Sequence, residues 1–203
     1  MMKKKITLKI VNYIYNISSW NVSDHFVRYI KKPDHNFFWR IKLINKNTVL
    51  TRVGDNHANS WDYALSYKWH DIGLSKVEKI IDNFYDENGL FIDIGSNMGL
   101  RSLTYLSSKK KCLLFEPNID LHKFNKELFE LNNFSNYELS SFCLSDYNRK
   151  EKIYISSSSY MSSLDSEIAK QDHIVDEREV ELITLDSYLK DNKEIVENIK
   201  IDV

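Results

Sequence analysis

The chain is poor in residues that cross-link or break a polypeptide: its 203 residues include two cysteines, two prolines and five glycines. Two cysteines are too few for the disulfide framework of a small secreted domain. Both of them, Cys112 and Cys143, lie in apolar, strand-like runs, where a thiol packs as a small hydrophobe. We therefore expect a reducing, cytoplasmic setting.

A strong net charge and long apolar runs are also missing. The formal charge is -1, so the chain lacks the basic surplus that draws a protein onto nucleic acid, and we expect no nucleic-acid partner. No apolar run approaches the length of a membrane span. The six histidines show no metal-ligand spacing, so we predict no metal site. Neither a nucleophile elbow nor a phosphate-binding P-loop is present, which disfavours hydrolase and kinase functions.

The first residues combine a basic cluster with an interrupted apolar run. Residues 3–5 are lysines and residues 6–17 are largely apolar, as in a signal peptide, but Lys9 interrupts the run and no small-residue cleavage site follows. The spacing of Ile10, Ile14 and Ile17 predicts an amphipathic helix whose apolar face packs on the domain. Contact of this basic helix with an anionic membrane surface is the alternative.

Residues 1–88 are interpreted as an N-terminal extension that contains this helix, a hairpin and a second helix. Residues 37–44 and 48–53 predict a β-hairpin, because the asparagines between them tolerate the backbone of a tight turn. Ser75 as N-cap and Glu78 three residues later form a capping box for the second helix. Its predicted inner side carries Val77, Ile80, Ile81 and Phe84.

From residue 89 to the end, strands and helices alternate, which is typical of a parallel sheet with crossover helices. Core strands are predicted at 90–94, 112–115, 137–144 and 199–203, helices at about 99–106 and 119–131, and shorter strands at 152–155 and 180–184. The serines between 156 and 163 predict a polar loop, and Asp186 is predicted to cap a short helix. The predicted fold class is α/β with a Rossmann-like sheet, in which the last strand lies beside the first.

A glycine turn follows the first core strand directly. Counted from Gly95, a dinucleotide-binding G-x-G-x-x-G motif would need glycines where Asn97 and Leu100 stand. The acid-x-G-x-G-x-G pattern of S-adenosylmethionine enzymes fits better, because Asp93, Gly95 and Gly99 match it. Asn97 alone replaces a glycine. The spacing therefore favours S-adenosylmethionine over a dinucleotide as the cofactor.

Each residue of this motif has a predicted physical role. Gly95 lets the backbone pass close to the cofactor, and Gly99 opens a helix whose free amides favour a negative group. Asp93 can hold the cofactor's ammonium through a water or an amide. Glu116 ends the second strand, where its two oxygens can accept both ribose hydroxyls, and Pro117 keeps its backbone extended.

Three further residues are candidates for the site. Ser145 and Asp146, after the third strand, are candidates for the adenine edge, and a simple turn is an equally good interpretation. Asp202, at the end of the last strand, is the predicted catalytic acid-base residue that accepts the proton of a hydroxyl nucleophile. Metal binding, cofactor orientation and a structural role are its alternatives.

Six segments, taken in order, carry a resemblance to a known family: FIDIGSNMG (91–99), FEPN (115–118), LSD (144–146), MSSL (161–164), ITLD (183–186) and IKIDV (199–203). They resemble the FkbM family of S-adenosylmethionine-dependent methyltransferases, which commonly places asparagine at the position of Asn97. The resemblance implies a class I methyltransferase fold at 89–203. It also implies O-methylation of a sugar or polyketide-like hydroxyl, often in bacterial polysaccharide or natural-product pathways.

One departure from the family pattern concerns the end of the sequence. In the family, the segment that matches residues 200–203 continues into Glu-Gly and further strands, so we expect a sheet that is incomplete after its fourth core strand. The hypothesis is a methyltransferase with a small-molecule or glycan acceptor. The alternatives are a nicotinamide-dependent oxidoreductase and a catalytically inactive fragment or binding module of the methyltransferase fold.

Overall fold

The computed structural model describes residues 2–17, 37–53, 72–84 and 89–202. The chain divides into two compact units, Met1–Phe84 and Tyr85–Val203. The first unit contains helix α1 (Met2–Ile17), strands β1 (Phe37–Lys42) and β2 (Thr48–Val53), and helix α2 (Ile72–Phe84). None of the helices in the described ranges is long and apolar enough to cross a bilayer.

Strands β1 and β2 form the predicted hairpin. They pair antiparallel, with Phe37 opposite Val53, and β1 ends at Lys42, two residues before the predicted bound. Alternate residues of a strand face the same side, and Trp39 on the inner side is fully buried. Its ring lies edge-on to Tyr15 of α1, with 5.2 Å between ring centroids. The aromatic pair is therefore the centre of this small core.

Helix α1 packs on the hairpin through amide side chains as well as Tyr15. Asn12 Nδ2 donates to the Arg40 carbonyl at 2.8 Å, and the Arg40 N–H donates to Asn12 Oδ1 at 3.0 Å. The predicted packing face is wrong, because Ile10 and Ile17 are 55% and 65% exposed. The outer edge of β1 presents backbone donors and acceptors, which an asparagine can satisfy and an isoleucine cannot.

Helix α2 begins at Ile72, so Ser75 lies inside the helix and is not its N-cap. The predicted inner side is also wrong, since Glu78 is buried. The exposed side carries Val77, Ile80 and Phe84. An apolar stripe at helical spacing shows that a helix has two faces, but the stripe is buried only where another element covers it.

The second unit contains, in chain order, β3 (Leu90–Ile94), α3 (Ser102–Ser107), β4 (Lys111–Phe115), α4 (Ile119–Leu131), β5 (Tyr137–Ser140), β6 (Cys143–Leu144), β7 (Arg149–Ser156), a 3₁₀ turn (Ser159–Met161), α5 (Ser166–Ala169), β8 (Ile174–Ile183), α6 (Leu185–Leu189) and β9 (Val196–Ile201). Four of these strands form a parallel sheet in the order β5-β4-β3-β9. Every residue of the central β3 is buried, as expected of a parallel strand covered on both faces. The predicted α/β fold with a parallel sheet is confirmed, and the last strand, β9, lies beside β3, the first core strand.

The two helices after the first core strands differ in how well their starts were predicted. Helix α4 has the predicted bounds, and Asn118 caps it by accepting the Asp120 N–H at 3.2 Å. Helix α3 begins at Ser102 and not near Gly99. The φ angle of Gly99 is +67°, which lies outside the right-handed helix, so the turn ends before the helix starts.

The predicted third strand, residues 137–144, is wrong as a single strand. Strand β5 ends at Ser140, and β6 joins β8 and β7 in a second, three-stranded sheet. Between β5 and β6, Phe142 packs edge-on against Tyr188, with 5.9 Å between ring centroids. Both rings pack against the core cluster of the parallel sheet. The chain bends after Ser140 and thereby buries part of the Phe142 ring.

Strands β7 and β8 are longer than predicted because charged residues extend them. Lys150 pairs with Glu179 at 3.0 Å and Lys152 pairs with Glu177 at 2.8 Å across the antiparallel ladder. Cross-strand pairs of opposite charge are compatible with a strand. A search for apolar runs does not detect such segments.

The N-cap of helix α6 was predicted two residues too late, at Asp186. The Thr184 hydroxyl oxygen accepts the Ser187 N–H at 3.1 Å, so Thr184 is the N-cap. Asp186 lies in the first turn instead. A carboxylate in that position still favours the helix, because the first turn carries the positive end of the helix dipole.

Candidate functional site

Residues 95–99, the glycine loop, connect β3 to α3 at the carboxyl edge of the parallel sheet. Three of its residues have positive φ angles: Gly95 (69°), Asn97 (49°) and Gly99 (67°). The N–H groups of Gly95 and Ser96 both donate to the Phe115 carbonyl at 3.0 Å. The loop therefore folds over the end of β4, next to Glu116.

Gly99 is required by close packing as well as by its backbone angle. A Cβ atom on it would lie 2.7 Å from Phe129 Cζ and 3.0 Å from Asn125 Oδ1, both on helix α4. The predicted role of Gly99, to open a helix with free amides, is not what its position provides, since α3 begins three residues later. Gly99 instead lets the loop lie against α4.

Glu116 joins the glycine loop to the start of α4. Its Oε2 accepts the Asn97 N–H and its Oε1 accepts the Asn118 N–H, both at 2.8 Å. The side chain is buried, and this burial raises its pKa to about 7, although the two backbone N–H groups partly oppose the shift. A buried carboxylate therefore stands where the sequence predicts a ribose-binding residue.

Asp93, at the carboxyl end of β3, is fully buried. Its Oδ2 accepts the Ser102 hydroxyl at 2.8 Å, and its Oδ1 lies 3.0 Å from Lys200 Nζ. Burial raises the pKa of Asp93, while the Lys200 charge and the Ser102 hydroxyl oppose that rise. Both oxygens of Asp93 are thus engaged by side chains from α3 and β9.

Lys200 was not predicted as a site residue, yet it links three parts of this edge. Besides its ion pair with Asp93, its Nζ donates to the Gly95 carbonyl at 3.0 Å and lies 3.5 Å from Asp202 Oδ2. Its side chain is only 13% exposed. One signal was available in the sequence, because a lysine between Ile199 and Ile201 interrupts a core strand and a buried lysine needs a partner.

Asp202 lies where it was predicted, beside the glycine loop. Its N–H donates to the Ile94 carbonyl at 3.1 Å, which continues the pairing of β9 with β3. Its side chain is 81% exposed. The residue therefore presents a solvated carboxylate at the same sheet edge as Gly95.

Asn97 makes hydrogen bonds to three separate elements. Its N–H donates to Glu116, its carbonyl accepts Asn125 Nδ2 at 2.8 Å, and its side-chain Oδ1 accepts the Ser159 hydroxyl at 3.1 Å. Asn125 and Ser159 were not predicted as site residues. No short sequence motif could reveal them, because they lie 28 and 62 residues from Asn97 along the chain.

Ser145 and Asp146 lie in the turn between β6 and β7. The Ser145 hydroxyl donates to Asp146 Oδ1 at 3.0 Å and accepts from Arg149 Nη1 at 2.8 Å. Asp146 also lies 3.5 Å from Arg149 Nη1. Among the described residues, the hydrogen bonds of these two side chains stay within this turn and do not extend to the glycine loop.

Besides Asp93 Oδ1, whose partner is the Lys200 ammonium in an ion pair, two buried polar atoms near the loop make no hydrogen bond within the described ranges. They are Ser96 Oγ and Asn125 Oδ1, whose residues are 5% and 0% exposed. Buried polar atoms are normally paired, so such atoms indicate a place for a further donor or acceptor.

The described part of the chain contains no cluster of three or more His, Cys, Asp or Glu side chains that could hold a metal ion.

The sequence is similar to those of known proteins. A family model described as the methyltransferase FkbM domain matches residues 93–203, which is more than half of the chain. The chain is also 27% identical over 92 residues to the uncharacterized protein MJ1452 of Methanocaldococcus jannaschii. That match covers 45% of this chain and 35% of the relative, so the matched region spans about a third of the relative's length.

Proposed function

Because the chain belongs to the FkbM methyltransferase family, the family that its motifs resemble, we propose that it binds S-adenosylmethionine and transfers a methyl group to a hydroxyl of a sugar or natural product. Glu116 is the observation that carries this proposal. It is a buried carboxylate at the end of β4, and each of its oxygens accepts one backbone N–H. The cofactor site is assigned to residues 89–203, with residues 1–88 as an extension.

The hydrogen-bonding capacity of Glu116 fits the ribose of such a cofactor. An ionised carboxylate has about four acceptor positions, and two of those on Glu116 are used by Asn97 and Asn118. Two neighbouring ribose hydroxyls supply two further donors. Donors to the charged form lower the pKa of a carboxyl, so ribose binding would offset the effect of burial on Glu116. Ser96 Oγ and Asn125 Oδ1 offer further polar atoms beside the loop.

Asp93 and Lys200 are assigned a supporting role in cofactor binding. Both Asp93 oxygens are engaged by Ser102 and Lys200, so contact with the cofactor's ammonium would pass through a water or a backbone group. Lys200 also donates to the Gly95 carbonyl, which fixes the start of the glycine loop. The pair therefore positions the loop against which the cofactor would bind.

Asp202 is the proposed acid-base residue for the acceptor. The cofactor, when bound, supplies the electrophilic methyl group on its sulfonium. What the protein must add is alignment of the hydroxyl and a group that takes its proton. Asp202 lies beside the glycine loop with its carboxylate exposed, and Lys200 Nζ lies 3.5 Å from one of its oxygens.

Isothermal titration with S-adenosylhomocysteine tests the cofactor assignment. Glu116→Gln keeps the shape of the side chain but removes its charge and half of its acceptor capacity. Hydrogen bonds to charged groups contribute about 1.5–3 kcal/mol, so we expect the affinity of this variant to fall by about tenfold or more. Glu181→Gln, on the exposed side of β8, is the matched control and should bind as the wild type does.

Two results would contradict the proposal. One is that wild-type protein shows no binding of S-adenosylhomocysteine, and the other is that Glu116→Gln binds it with unchanged affinity. A parallel titration with NAD should give no binding, because the glycine spacing does not fit a dinucleotide. Binding of NAD alone would instead support the oxidoreductase alternative, which the family match does not favour.

A further inference from the structure

We propose that Ser159 is a positioning residue for the cofactor, acting through Asn97 on the glycine loop and on Glu116; this inference rests on the proposed function. The Ser159 hydroxyl donates to Asn97 Oδ1 at 3.1 Å. Residues 156–163, which we call the serine segment, are thereby tied to the loop at the carboxyl edge of the sheet. The segment begins at the last residue of β7 in the second sheet, so the contact joins the two sheets of this unit.

The side chain of Asn97 provides what a glycine at this position could not. With φ at +49°, the position suits glycine or asparagine, which tolerate the left-handed region best. A glycine would keep both backbone hydrogen bonds, to Glu116 and from Asn125. It would lack the Oδ1 atom that accepts from Ser159. The asparagine therefore adds a connection to the serine segment that a glycine could not make.

The serine segment is itself held by hydrogen bonds at both ends. At its start, Asp172 accepts the Ser157 hydroxyl at 2.8 Å and the Ser158 N–H at 2.7 Å. Hydrogen bonds from Ser158, His173 and Ser157 stabilise the charged carboxylate and lower the pKa of Asp172 to about 2. At its end, Ser163 exchanges two backbone hydrogen bonds with Tyr154, at 2.9 and 3.1 Å.

Ser159 therefore begins a 3₁₀ turn inside a segment that is held by hydrogen bonds at both ends. Within the segment, the Ser156 hydroxyl donates to the Ala169 carbonyl at 3.0 Å, which ties the strand end to α5. A side chain on a framework of this kind loses little conformational freedom when it makes a hydrogen bond. The geometry therefore suits Ser159 to hold Asn97 in one position.

The position of Asn97 matters because its N–H is one of the two donors to the Glu116 carboxylate. A shift of Asn97 would move or remove that donor, and Glu116 is the proposed ribose ligand. The hydrogen bonds thus run from Ser159 to Asn97 and from Asn97 to Glu116. Ser159 need not touch the cofactor to affect its binding.

A double-mutant cycle on S-adenosylhomocysteine affinity tests this inference. The cycle uses the full chain with Ser159→Ala, Asn97→Gly and both changes together. A neutral hydrogen bond contributes about 0.5–1.5 kcal/mol, so Ser159→Ala should weaken binding by about 2- to 10-fold. The double variant should bind no more weakly than Asn97→Gly, because the glycine has already removed the acceptor.

Conservative replacement and a matched control separate positioning from general destabilisation. Ser159→Thr keeps the hydroxyl and should bind within about twofold of the wild type. Ser135→Ala, an exposed serine after α4, removes a hydroxyl away from the loop and should leave affinity unchanged. Hydrogen exchange should show that the ligand protects the serine segment in the wild type but not in Ser159→Ala, while residues 93–99 are protected in both.

The outcomes distinguish this inference from the proposed function. Additive effects in the cycle, a Ser159→Thr variant as weak as Ser159→Ala, or unchanged affinity in Ser159→Ala would each overturn the positioning role and leave the cofactor assignment intact. If Ser159→Ala does not fold, two other measurements decide. They are the affinity of Asn97→Gly compared with that of Ser159→Thr, and the hydrogen exchange of the serine segment in the wild type with and without the ligand. Absence of ligand binding by the wild type would overturn both.

Discussion

The ends of β3 and β4 each carry a buried carboxylate, and the protein compensates the two in different ways. Asp93 faces the Lys200 ammonium at 3.0 Å and accepts the Ser102 hydroxyl at 2.8 Å. Glu116 accepts two backbone N–H groups, and among the described residues it makes no ion pair. Burial raises the pKa of both carboxyls. Burial alone therefore does not identify a binding residue, because the partners of the buried group decide its role.

The end of β3 with Asp93, called here the Asp93 end, is complete as a structural unit. The end of β4 with Glu116, called the Glu116 end, can accept further hydrogen-bond donors. Lys200 is shared between Asp93, the Gly95 carbonyl and Asp202, so this cation holds the central strand, the loop and the last strand together. Glu116 holds the loop only through neutral amides. We therefore expect changes at the Asp93 end to affect folding most, and changes at the Glu116 end to affect pH dependence and ligand binding.

The largest expected effect is on stability, from Lys200→Met. This change leaves the fully buried Asp93 carboxyl without its cation, and removal of one partner of a buried pair costs about 3–5 kcal/mol. Urea unfolding at pH 8 measures the loss. Because an unpaired buried carboxyl takes up a proton, the folded state of the variant binds protons more readily than its unfolded state, and its stability should recover as the pH falls.

A matched lysine change provides the control for this prediction. Lys150→Met breaks the exposed pair with Glu179, whose side chain is 68% exposed, and should leave the unfolding midpoint unchanged. Equal effects of the two lysine changes would contradict the view that the Asp93 end is a buried structural unit. So would a Lys200→Met variant as stable as the wild type at pH 8.

The second prediction concerns the pH dependence that Glu116 gives to the unliganded chain. Its pKa is about 7 when folded and has an ordinary value of 4.5, so the folded state binds more protons between these values. Stability should therefore fall as the pH rises from about 4.5 to about 7, by at most about 3 kcal/mol from this group. Chemical unfolding of wild type and Glu116→Gln across this range measures the difference in slope.

The sign of this slope distinguishes a carboxyl whose pKa is raised by burial from a carboxylate whose pKa is lowered by a cation. A salt-bridged carboxylate with a lowered pKa would instead make the protein more stable as the pH rises. If Glu116→Gln shows the same slope as the wild type between pH 4.5 and 7, Glu116 does not titrate in the folded state as its burial requires. Saturating S-adenosylhomocysteine should reduce the slope, because ribose donors favour the charged carboxylate.

The third prediction concerns the glycine loop, which lies between Asp93 and Glu116 in the sequence. Gly99→Ala places a Cβ 2.7 Å from Phe129 Cζ at a φ of +67°, and overpacking with backbone strain costs about 1–3 kcal/mol. Gly89→Ala is the control, because the three atoms nearest to its Cβ all belong to the exposed side chain of Glu197 and its φ is not positive. Thermal unfolding of the two variants should differ clearly, and equal melting temperatures would show that α4 does not constrain the loop.

The sequence predicts the elements that carry the site better than the residues that hold the glycine loop in place. The bounds of β3 and α4 follow from local signals, namely a continuous apolar run and apolar residues at helical spacing, and both are observed as predicted. The start of α3 and the packing face of α1 were wrong because they depend on a backbone angle and on a strand edge. Asn125 and Ser159 were missed because distant segments meet only in the fold. Lys200 was also missed, although its place between two isoleucines of a core strand was a local signal.

The smallest expected effect on stability and affinity is at the turn that contains Ser145 and Asp146, between β6 and β7. Both residues bind Arg149, whose guanidinium also lies 4.1 Å from the Tyr147 ring centroid. These groups belong to one exposed turn, and surface ion pairs contribute little to stability. We therefore expect Ser145→Ala and Asp146→Ala to keep the wild-type melting temperature and to bind S-adenosylhomocysteine within about twofold of the wild type. A larger loss of affinity at constant melting temperature would assign the adenine contact to this turn. It would also add an exposed carboxylate to the buried one that we propose as the ribose ligand.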